Sequence, residues 1–285
     1  MKSEFQSIVL GIVQGLTEFL PVSSTAHLRI VPAILNWGDL GTAYSAIIQL
    51  GTMFSVIFYF WNDLIKIYGS LLSDGLLYFK HKSFLKFFNS YESKLGFWIL
   101  VGTIPICVFG LMFKEPIEVG MVRDLKLIAI VLIVCGVLLY ISELVSRQAK
   151  TLGNVSFIDV FLIGLTQSLA LIPGVSRSGI TLFTGLILGY TRHDAARFSF
   201  LLSVPAILLS GILELNTLIQ AITADTLGIS FIDLSLGVVF AFLSGYFAIG
   251  FLLKYLQLHK TYIFVVYRIV LGIAVLYLYY RGIIK

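Results

Sequence analysis

Long runs of apolar residues constrain this chain more than any other feature of its sequence. Six stretches are close to the roughly 20 residues that an α-helix needs to cross a bilayer. They cover residues 42–61, 95–113, 125–142, 198–215, 234–253 and 262–280. Only 12% of the 285 residues are charged, about half the usual share in soluble domains. The chain is therefore predicted to be an all-α integral membrane protein.

The net charge of +5 does not by itself indicate a nucleic-acid partner. Basic residues of membrane proteins mostly lie in loops and fix orientation, so no nucleic acid is expected to bind. Cys107 and Cys135 lie inside apolar runs, and no disulfide framework is expected. The first apolar run contains Gln14 and Glu18 and lacks a small-residue cleavage site, so it is not predicted to be a signal peptide.

Two further apolar segments are too short and too interrupted to cross a membrane. Residues 8–20 run into the turn PVSST, and residues 160–172 run into PGVSRSG. A second short apolar run follows each turn, at residues 28–35 and 180–190. A short helix, a turn rich in proline and hydroxyl groups and another short helix are typical of a re-entrant hairpin.

The two hairpins belong to an internal repeat with a shift of 153 residues. The shift aligns Gly11 with Gly164, Gln14 with Gln167, Val22 with Val175, Ser23 with Ser176 and Thr25 with Ser178. Each half of this single membrane domain, about 1–150 and 151–285, then contains one re-entrant helical hairpin and three transmembrane helices. Six full spans and two re-entrant pairs result. Because three spans are an odd number, the halves are predicted to be inverted-topology repeats, whose special site lies near the midplane.

Loop charge orients the predicted spans, because short loops rich in Lys and Arg stay in the cytoplasm. The basic segments 66–94 and 147–150 are predicted inside, whereas the mixed segment 114–124 and the acidic segment 214–233 are predicted outside. Both termini are then outside. The first hairpin enters from the outer face and the second from the inner face.

Polar side chains of the first hairpin suggest a site for an anion. Gln14 and Glu18 are four residues apart, so they share one face of a helix. Ser23, Ser24 and Thr25 follow a proline, where the chain leaves the first helix and exposes unpaired backbone N–H groups. Ionisable groups inside a membrane are costly and indicate function. We interpret this segment as one wall of an anion cradle.

The second hairpin supplies a cation to the same predicted site. Ser176 and Ser178 flank Arg177, whose planar, permanently charged guanidinium suits phosphate. Gly174 and Gly179 would let the backbone approach a ligand closely. The helix that follows would attract the same anion at its N-terminus.

Other interpretations of these charged groups remain open at this point. His27 follows Ser24 by three residues and is a candidate general acid or base. Alternatively, Glu18 and Arg177 form a structural ion pair and the hydroxyls merely cap helix ends. Three further charged groups are expected to snorkel, pair or lie at the interface: Arg29, Asp159 and Arg268.

Two motifs closely resemble those of a known family. QGLTEFLPVSSTAHL at residues 14–28 and PGVSRSGIT at residues 173–181 resemble the signatures of the bacitracin-resistance family of undecaprenyl-diphosphate phosphatases. IQLGT at 48–52 and FSFLLSVP at 198–205 are similar to further family segments. The resemblance implies an enzyme of the bacterial cytoplasmic membrane. It would hydrolyse undecaprenyl diphosphate to the monophosphate and inorganic phosphate, recycle the carrier lipid for peptidoglycan synthesis and confer bacitracin resistance.

The resemblance also implies roles for individual residues. The family's catalytic positions correspond to Glu18, Ser24, His27 and Arg177. Substrate or phosphate binding falls to Gln14, Ser23, Thr25, Gly174, Ser176, Ser178 and Thr181. A divalent cation, Mg²⁺ or Ca²⁺, is part of the family picture, with Glu18 as its candidate ligand. Gln14 stands where many relatives have Glu and Ser45 where some have an acid, so a magnesium ion is expected to arrive with the diphosphate.

These assignments predict a mechanism and leave two rivals. We expect Arg177 to hold the terminal phosphate, Ser24 or a water to attack phosphorus, and His27 to shuttle the proton. Glu18 would orient His27 or assist a metal. The leading rival is a polyprenyl-phosphate transporter or flippase, since inverted repeats with broken helices are common in transporters; a scaffold protein comes third. The expected partners are the lipid substrate and membrane lipids, and a homodimer is among the assembly states that the sequence leaves open.

Overall fold

The computed structural model describes residues 2–81, 90–113, 124–223 and 230–284. Helices joined by turns and loops make up these ranges, with one isolated β-bridge between Lys150 and Tyr190. Eleven α-helices occur in the described ranges. They are α1 (Lys2–Phe19), α2 (Ser24–Leu35), α3 (Gly41–Tyr59), α4 (Trp61–His81), α5 (Tyr91–Met112), α6 (Leu125–Val145), α7 (Phe157–Gln167), α8 (Arg177–Ile187), α9 (Arg192–Thr223), α10 (Phe231–Leu258) and α11 (Tyr262–Tyr280). Short 3₁₀ turns lie at Leu152–Asn154 and Ser168–Leu171.

Several of these helices are long and apolar enough to cross a membrane. Five satisfy both conditions among the described residues: Tyr91–Met112, Leu125–Val145, Arg192–Gly211, Phe231–Leu258 and Tyr262–Tyr280. Four of them are less than half buried, as helices that face lipid are, whereas Arg192–Gly211 is 61% buried. The predicted class, an all-α multi-pass membrane protein, is confirmed.

The first predicted span, residues 42–61, differs from the other five. Helices α3 and α4 meet at Phe60 with a bend of 76°, and only together do they reach the length and hydropathy of a span. The segment after Trp61, expected as a loop, is helical up to His81. Leu64 and Ile67 form a buried stripe at helical spacing and pack toward α5, so burial of one face explains the helix that loop charge did not indicate.

Both predicted hairpins are present, as α1 with α2 and α7 with α8. Their turns share an unusual backbone geometry: Ser23 has φ 74° and ψ 102°, and Ser176 has φ 71° and ψ 111°. Each serine side chain accepts the backbone N–H three residues ahead, from Ala26 and Gly179. The two turns therefore adopt the same conformation 153 residues apart, and each one caps the helix that follows. Parts of three expected loops, residues 82–89, 114–123 and 224–229, lie outside the described residues.

Close glycine contacts lock each hairpin against a helix of the other half. A Cβ on Gly11 in α1 would lie 2.4 Å from the Gly237 oxygen in α10. A Cβ on Gly164 in α7 would lie 2.4 Å from the Gly102 oxygen in α5. Small residues let backbones approach this closely in membrane proteins. Each hairpin therefore packs closely against a helix distant in sequence, and Arg268 contacts both buried hairpin turns.

Candidate active site

Glu18 is the centre of a polar cluster where the two hairpins meet. Its Oε1 accepts a hydrogen bond from Arg177 Nη2 at 2.7 Å and a long one from Gln49 Nε2 at 3.4 Å. Its Oε2 accepts hydrogen bonds from Ser24 Oγ at 2.6 Å and Gln14 Nε2 at 3.1 Å. The Glu18 side chain is 7% exposed and that of Arg177 13%. A buried carboxylate thus joins donors from α1, α2, α3 and α8.

Local sequence explains how these groups come together. Gln14 and Glu18 are one helical turn apart on α1, as their spacing predicts. The turn that follows reverses the chain, so Ser24 begins α2 directly beside the end of α1. Arg177 begins α8 in the same way. Two helices therefore start at the cluster. Their first-turn N–H groups have no intrahelical partner, and those that the capping side chains of Ser23 and Ser176 leave unbound are available to an anion.

Hydroxyl groups link the two turns to each other. The Ser178 hydroxyl lies 3.2 Å from the backbone oxygens of both Glu18 and Leu20. The Gly174 N–H approaches Thr25 Oγ1 at 3.5 Å. Ser23 and Thr25 share a hydrogen bond of 3.0 Å, and the matching pair in the second turn, Ser176 and Ser178, shares one of 3.2 Å. Of these predicted phosphate-binding hydroxyls, Thr25 is the one exposed.

Thr181 lies one turn further along α8. Its hydroxyl donates to the Arg177 oxygen at 2.8 Å and shares a hydrogen bond of 2.6 Å with Ser199. It therefore supports the start of α8 and does not contact Glu18. Sequence reasoning missed Gln49 and Ser203, whose oxygen lies 3.4 Å from Arg177 Nη1. Both residues lie in segments that resemble the family, 48–52 and 198–205, and that resemblance was the sequence signal that could have indicated them.

His27 is bound away from the Glu18 carboxylate. Its Nδ1 lies 2.7 Å from the Ser23 carbonyl oxygen, which can only accept, so Nδ1 carries the proton. Nε2 then accepts the Tyr267 hydroxyl proton at 2.6 Å, and the two rings stack with centroids 5.6 Å apart. Both ring nitrogens are thus occupied by groups outside the carboxylate cluster. Nothing in the sequence singled out Tyr267, which is 45% exposed.

Arg268 does not snorkel, because its side chain is 1% exposed. It donates to the carbonyl oxygens of both turns: Nη1 to Pro21 at 3.1 Å, and Nη2 to Gly174 at 2.8 Å and Val175 at 3.1 Å. Nε donates to Leu132 in α6 at 3.3 Å. Among the described residues, no carboxylate forms an ion pair with it. Backbone oxygens alone therefore compensate this buried cation.

The other two charged groups pair near helix ends, as expected. Arg29 lies 3.5 Å from Asp39. Asp159 accepts from Lys150 at 3.2 Å and from the Tyr190 hydroxyl at 2.8 Å. Burial, together with the carboxylate of Asp159, raises the pKa of Tyr190 well above its usual range, so the hydroxyl keeps its proton. These contacts tie loop segments together and lie outside the cluster.

The residues present do not form a metal cage. Within the ranges described, no group of three or more His, Cys, Asp or Glu side chains is arranged to hold an ion. Glu18 is the one carboxylate of the cluster, and Gln14 donates to it. Ser45, the other position where an acid occurs in some relatives, donates to the Gly41 oxygen at 3.0 Å. A cation could gain at most one carboxylate from this site.

A serine hydroxyl that donates to a buried carboxylate, beside an arginine and two helix N-termini, defines a membrane-embedded site suited to phosphoryl transfer. Comparison with known proteins agrees with this class. Residues 7–274 match the family described as bacitracin resistance protein BacA, and the chain belongs to that family.

Similar proteins cover nearly the whole chain. The undecaprenyl-diphosphatase of Chloroherpeton thalassium is 47% identical over 278 residues, with 95% of each chain covered. That of Chlorobaculum parvum is 46% identical over 279 residues, again with 95% of each covered. That of Gloeobacter violaceus is 45% identical over 282 residues, 98% of this chain and 93% of the relative.

Proposed function

We propose that this membrane protein is an undecaprenyl-diphosphate phosphatase. It hydrolyses undecaprenyl diphosphate to undecaprenyl phosphate and inorganic phosphate, which returns the carrier lipid to peptidoglycan synthesis and confers resistance to bacitracin. The observation that carries the proposal is the Ser24 hydroxyl 2.6 Å from Glu18, with Arg177 on the same carboxylate. Relatives that bear this enzyme's name, at 45–47% identity over nearly the full length, support it.

Ser24 is the nucleophile in this proposal. Its oxygen attacks the terminal phosphorus while its proton passes to Glu18, the acceptor already in contact with it. The bond from phosphorus to the bridging oxygen breaks, and undecaprenyl phosphate leaves as an anion that needs no proton. Water then attacks the phosphoserine, the bond from phosphorus to Ser24 Oγ breaks, and Glu18 returns its proton to that oxygen, which restores the hydroxyl and releases inorganic phosphate. Glu18 therefore takes over the role that the sequence suggested for His27 in the first step.

Arg177 holds the terminal phosphate. In the resting state its guanidinium pairs with Glu18, the ion pair of the structural alternative. An incoming phosphate competes with Glu18 for the Arg177 guanidinium, because a guanidinium can bind phosphate and carboxylate in the same bidentate manner. First-turn N–H groups of α2 and α8 add donors for the transferring group. We assign proton exchange with the hydrolytic water to His27, which would act through the Tyr267 hydroxyl that its Nε2 binds.

A divalent cation, Mg²⁺ or Ca²⁺, remains part of the proposal through the resemblance. With Glu18 as its single carboxylate, the site fits an ion that arrives on the diphosphate rather than one held by protein alone. Such an ion would neutralise phosphate charge when bound. Every step above is assigned to the chain's own residues.

We further propose that the two halves are inverted repeats in the cytoplasmic membrane, with both termini outside. The reciprocal packing of α1 on α10 and α7 on α5 supports the repeat. Single cysteines at Ala149 and Ser230, both exposed, test the orientation in a background without Cys107 and Cys135. An impermeant thiol reagent should label Ser230→Cys from outside intact cells and leave Ala149→Cys unlabelled. The reverse pattern would invert the assignment.

A homodimer is tested separately by light scattering in detergent.

Phosphate release separates the enzyme from a transporter. Purified protein in detergent should release inorganic phosphate from undecaprenyl or farnesyl diphosphate, and Ser24→Ala should release none. A transporter or flippase would release no phosphate in either form. Labelled substrate quenched during turnover should leave phosphate on Ser24; its absence at every time point would indicate direct attack by water.

A further inference from the structure

Arg268 has no part in the proposed chemistry, yet its side chain binds backbone oxygens of both turns from a third helix, α11. It reaches from α11 to Pro21 in the first turn and to Gly174 and Val175 in the second. An arginine can serve several acceptors at once because its five N–H groups form a rigid fork. This contact fixes the two turns relative to one another.

The bond to Val175 also fixes a peptide plane. A trans peptide points its C=O and its N–H in opposite directions. Since Arg268 holds the Val175 oxygen, the N–H of Ser176 in the same plane must point away from Arg268. That N–H directly precedes the first-turn N–H groups of Arg177 and Ser178. One side chain therefore determines the direction of a donor next to the phosphate site.

The backbone here needs such support. Ser176 has φ 71°, a conformation that residues with a Cβ rarely adopt. Strained residues of this kind persist only where their surroundings over-determine them, and they concentrate at functional sites. Ser23, at the equivalent point of the first turn, has φ 74°. There Arg268 holds the carbonyl oxygen of Pro21, which corresponds to Gly174 in the second turn.

Two glycines leave room for the guanidinium and the turn. A Cβ on Gly179 would lie 3.1 Å from Arg268 Nη1 and 3.2 Å from the Ser176 side chain. Gly174 has φ 92°, and a Cβ there would lie 2.9 Å from the Ile128 oxygen. The lack of a side chain at Gly174 and Gly179 therefore permits the close approach on which the bond from Arg268 to Val175 depends.

We propose that Arg268 is a positioning residue that aligns the Ser176 N–H, and the adjoining start of α8, with the phosphoryl group in the transition state. The inference rests on the proposed function, because it assigns Arg268 a task in that reaction. Arg268 touches no reacting atom; it acts through the peptide whose oxygen it holds. Its loss should therefore reduce transition-state stabilisation more than substrate binding.

Arg268→Lys tests the proposal, because lysine keeps the charge and cannot span Pro21, Gly174 and Val175 together. We expect kcat to fall about 10²-fold while KM stays within a few-fold, as for a donor misplaced by about 1 Å. Inhibition by vanadate, which mimics the transferring phosphoryl group, should weaken in proportion to kcat. Inhibition by inorganic phosphate should change much less.

Arg192→Lys is the matched control. Arg192 is also a largely buried arginine, bound through several N–H groups to Glu143 at 2.7–3.0 Å, but neither residue contacts the hairpin turns. It should lower thermal stability while kcat and vanadate inhibition stay near wild type. Equal kcat loss in both variants, or wild-type kcat and vanadate inhibition in folded Arg268→Lys, would overturn the positioning role.

A second variant keeps the test decisive if Arg268→Lys does not fold. Gly179→Ala retains the arginine but pushes its guanidinium, together with the Ser176 side chain, by a few tenths of an ångström. The same separation of kcat from KM, on a smaller scale of about 10-fold, is expected; wild-type kinetics would refute the inference. If wild-type protein releases no phosphate, the proposed function fails. The positioning role is then tested by vanadate binding, because vanadate should raise the unfolding temperature of the wild type and not that of Arg268→Lys.

Discussion

Replacing Glu18 with Gln would remove one charge and change almost no volume, which makes it a direct test of the cluster. Four donors surround the carboxylate, whereas an amide offers one oxygen. Arg177 can only donate, so the amide oxygen should remain with it. The amide NH₂ then faces Ser24 and Gln14, whose hydroxyl and amide can turn and accept. The cluster stays bonded, but the Ser24 proton loses its acceptor.

The exchange of a proton acceptor for an amide donor sets the expected losses in rate and stability. Loss of a positioned proton acceptor costs about 10²–10⁴ in rate, so kcat for undecaprenyl diphosphate should fall by at least about 10²-fold. The Arg177 hydrogen bond is not broken, because the charged guanidinium can donate to the neutral amide oxygen. The cost in stability should therefore stay near that of a charge-assisted hydrogen bond, about 1.5–3 kcal/mol. It should stay below the cost of an unpaired buried charge, about 3–5 kcal/mol.

Phosphate release in detergent measures the rate, and a thermal unfolding scan checks that the variant is folded. Glu143→Gln is the matched control, since Glu143 is equally buried and bound to Arg192 but contacts neither hairpin turn. It should lose stability and keep kcat. Glu18→Gln activity within a few-fold of wild type would refute the role of Glu18 as proton acceptor. A similar loss of kcat in Glu143→Gln would show that damage to any buried ion pair suffices.

Three further outcomes are expected. Ser24→Ala should fold normally, because its hydroxyl caps nothing, and should lose both turnover and covalent label; residual turnover above about 1% of wild type would favour water as the nucleophile. Arg177→Lys should reduce kcat by on the order of 10²-fold in folded protein, since an ammonium cannot form the bidentate phosphate contact, and near-normal hydrolysis would return Arg177 to a structural role. Gly11→Ala should destabilise the protein by about 1–3 kcal/mol, because its Cβ would meet the Gly237 oxygen at 2.4 Å. Gly110→Ala, with nothing within 4 Å, should stabilise α5 by up to about 1 kcal/mol, and equal unfolding temperatures for the two variants would contradict this account of the helix contact.

Local patterns in the sequence were sufficient for most of the architecture. An apolar run of span length has few alternatives to a membrane helix, and a short run that ends in a proline and serines must turn back. The repeat of 153 residues anticipated two similar turns, and Ser23 and Ser176 share an unusual backbone conformation. Gln14 and Glu18 are four residues apart on one helix, so their contact followed from helical spacing, whereas the contact of Ser24 with Glu18 depends on the turn between α1 and α2.

Tertiary structure decided the contacts between distant segments. Glu18 and Arg177 are 159 residues apart, and only the interlocked packing of the hairpins places them at 2.7 Å. Helical spacing put His27 near Ser24 but could not show that Tyr267, 240 residues away, occupies its Nε2. Arg268 looked like a snorkelling side chain because its sequence neighbours are apolar. Its partners are backbone oxygens, which every residue carries, and only packing reveals which of them converge on one guanidinium.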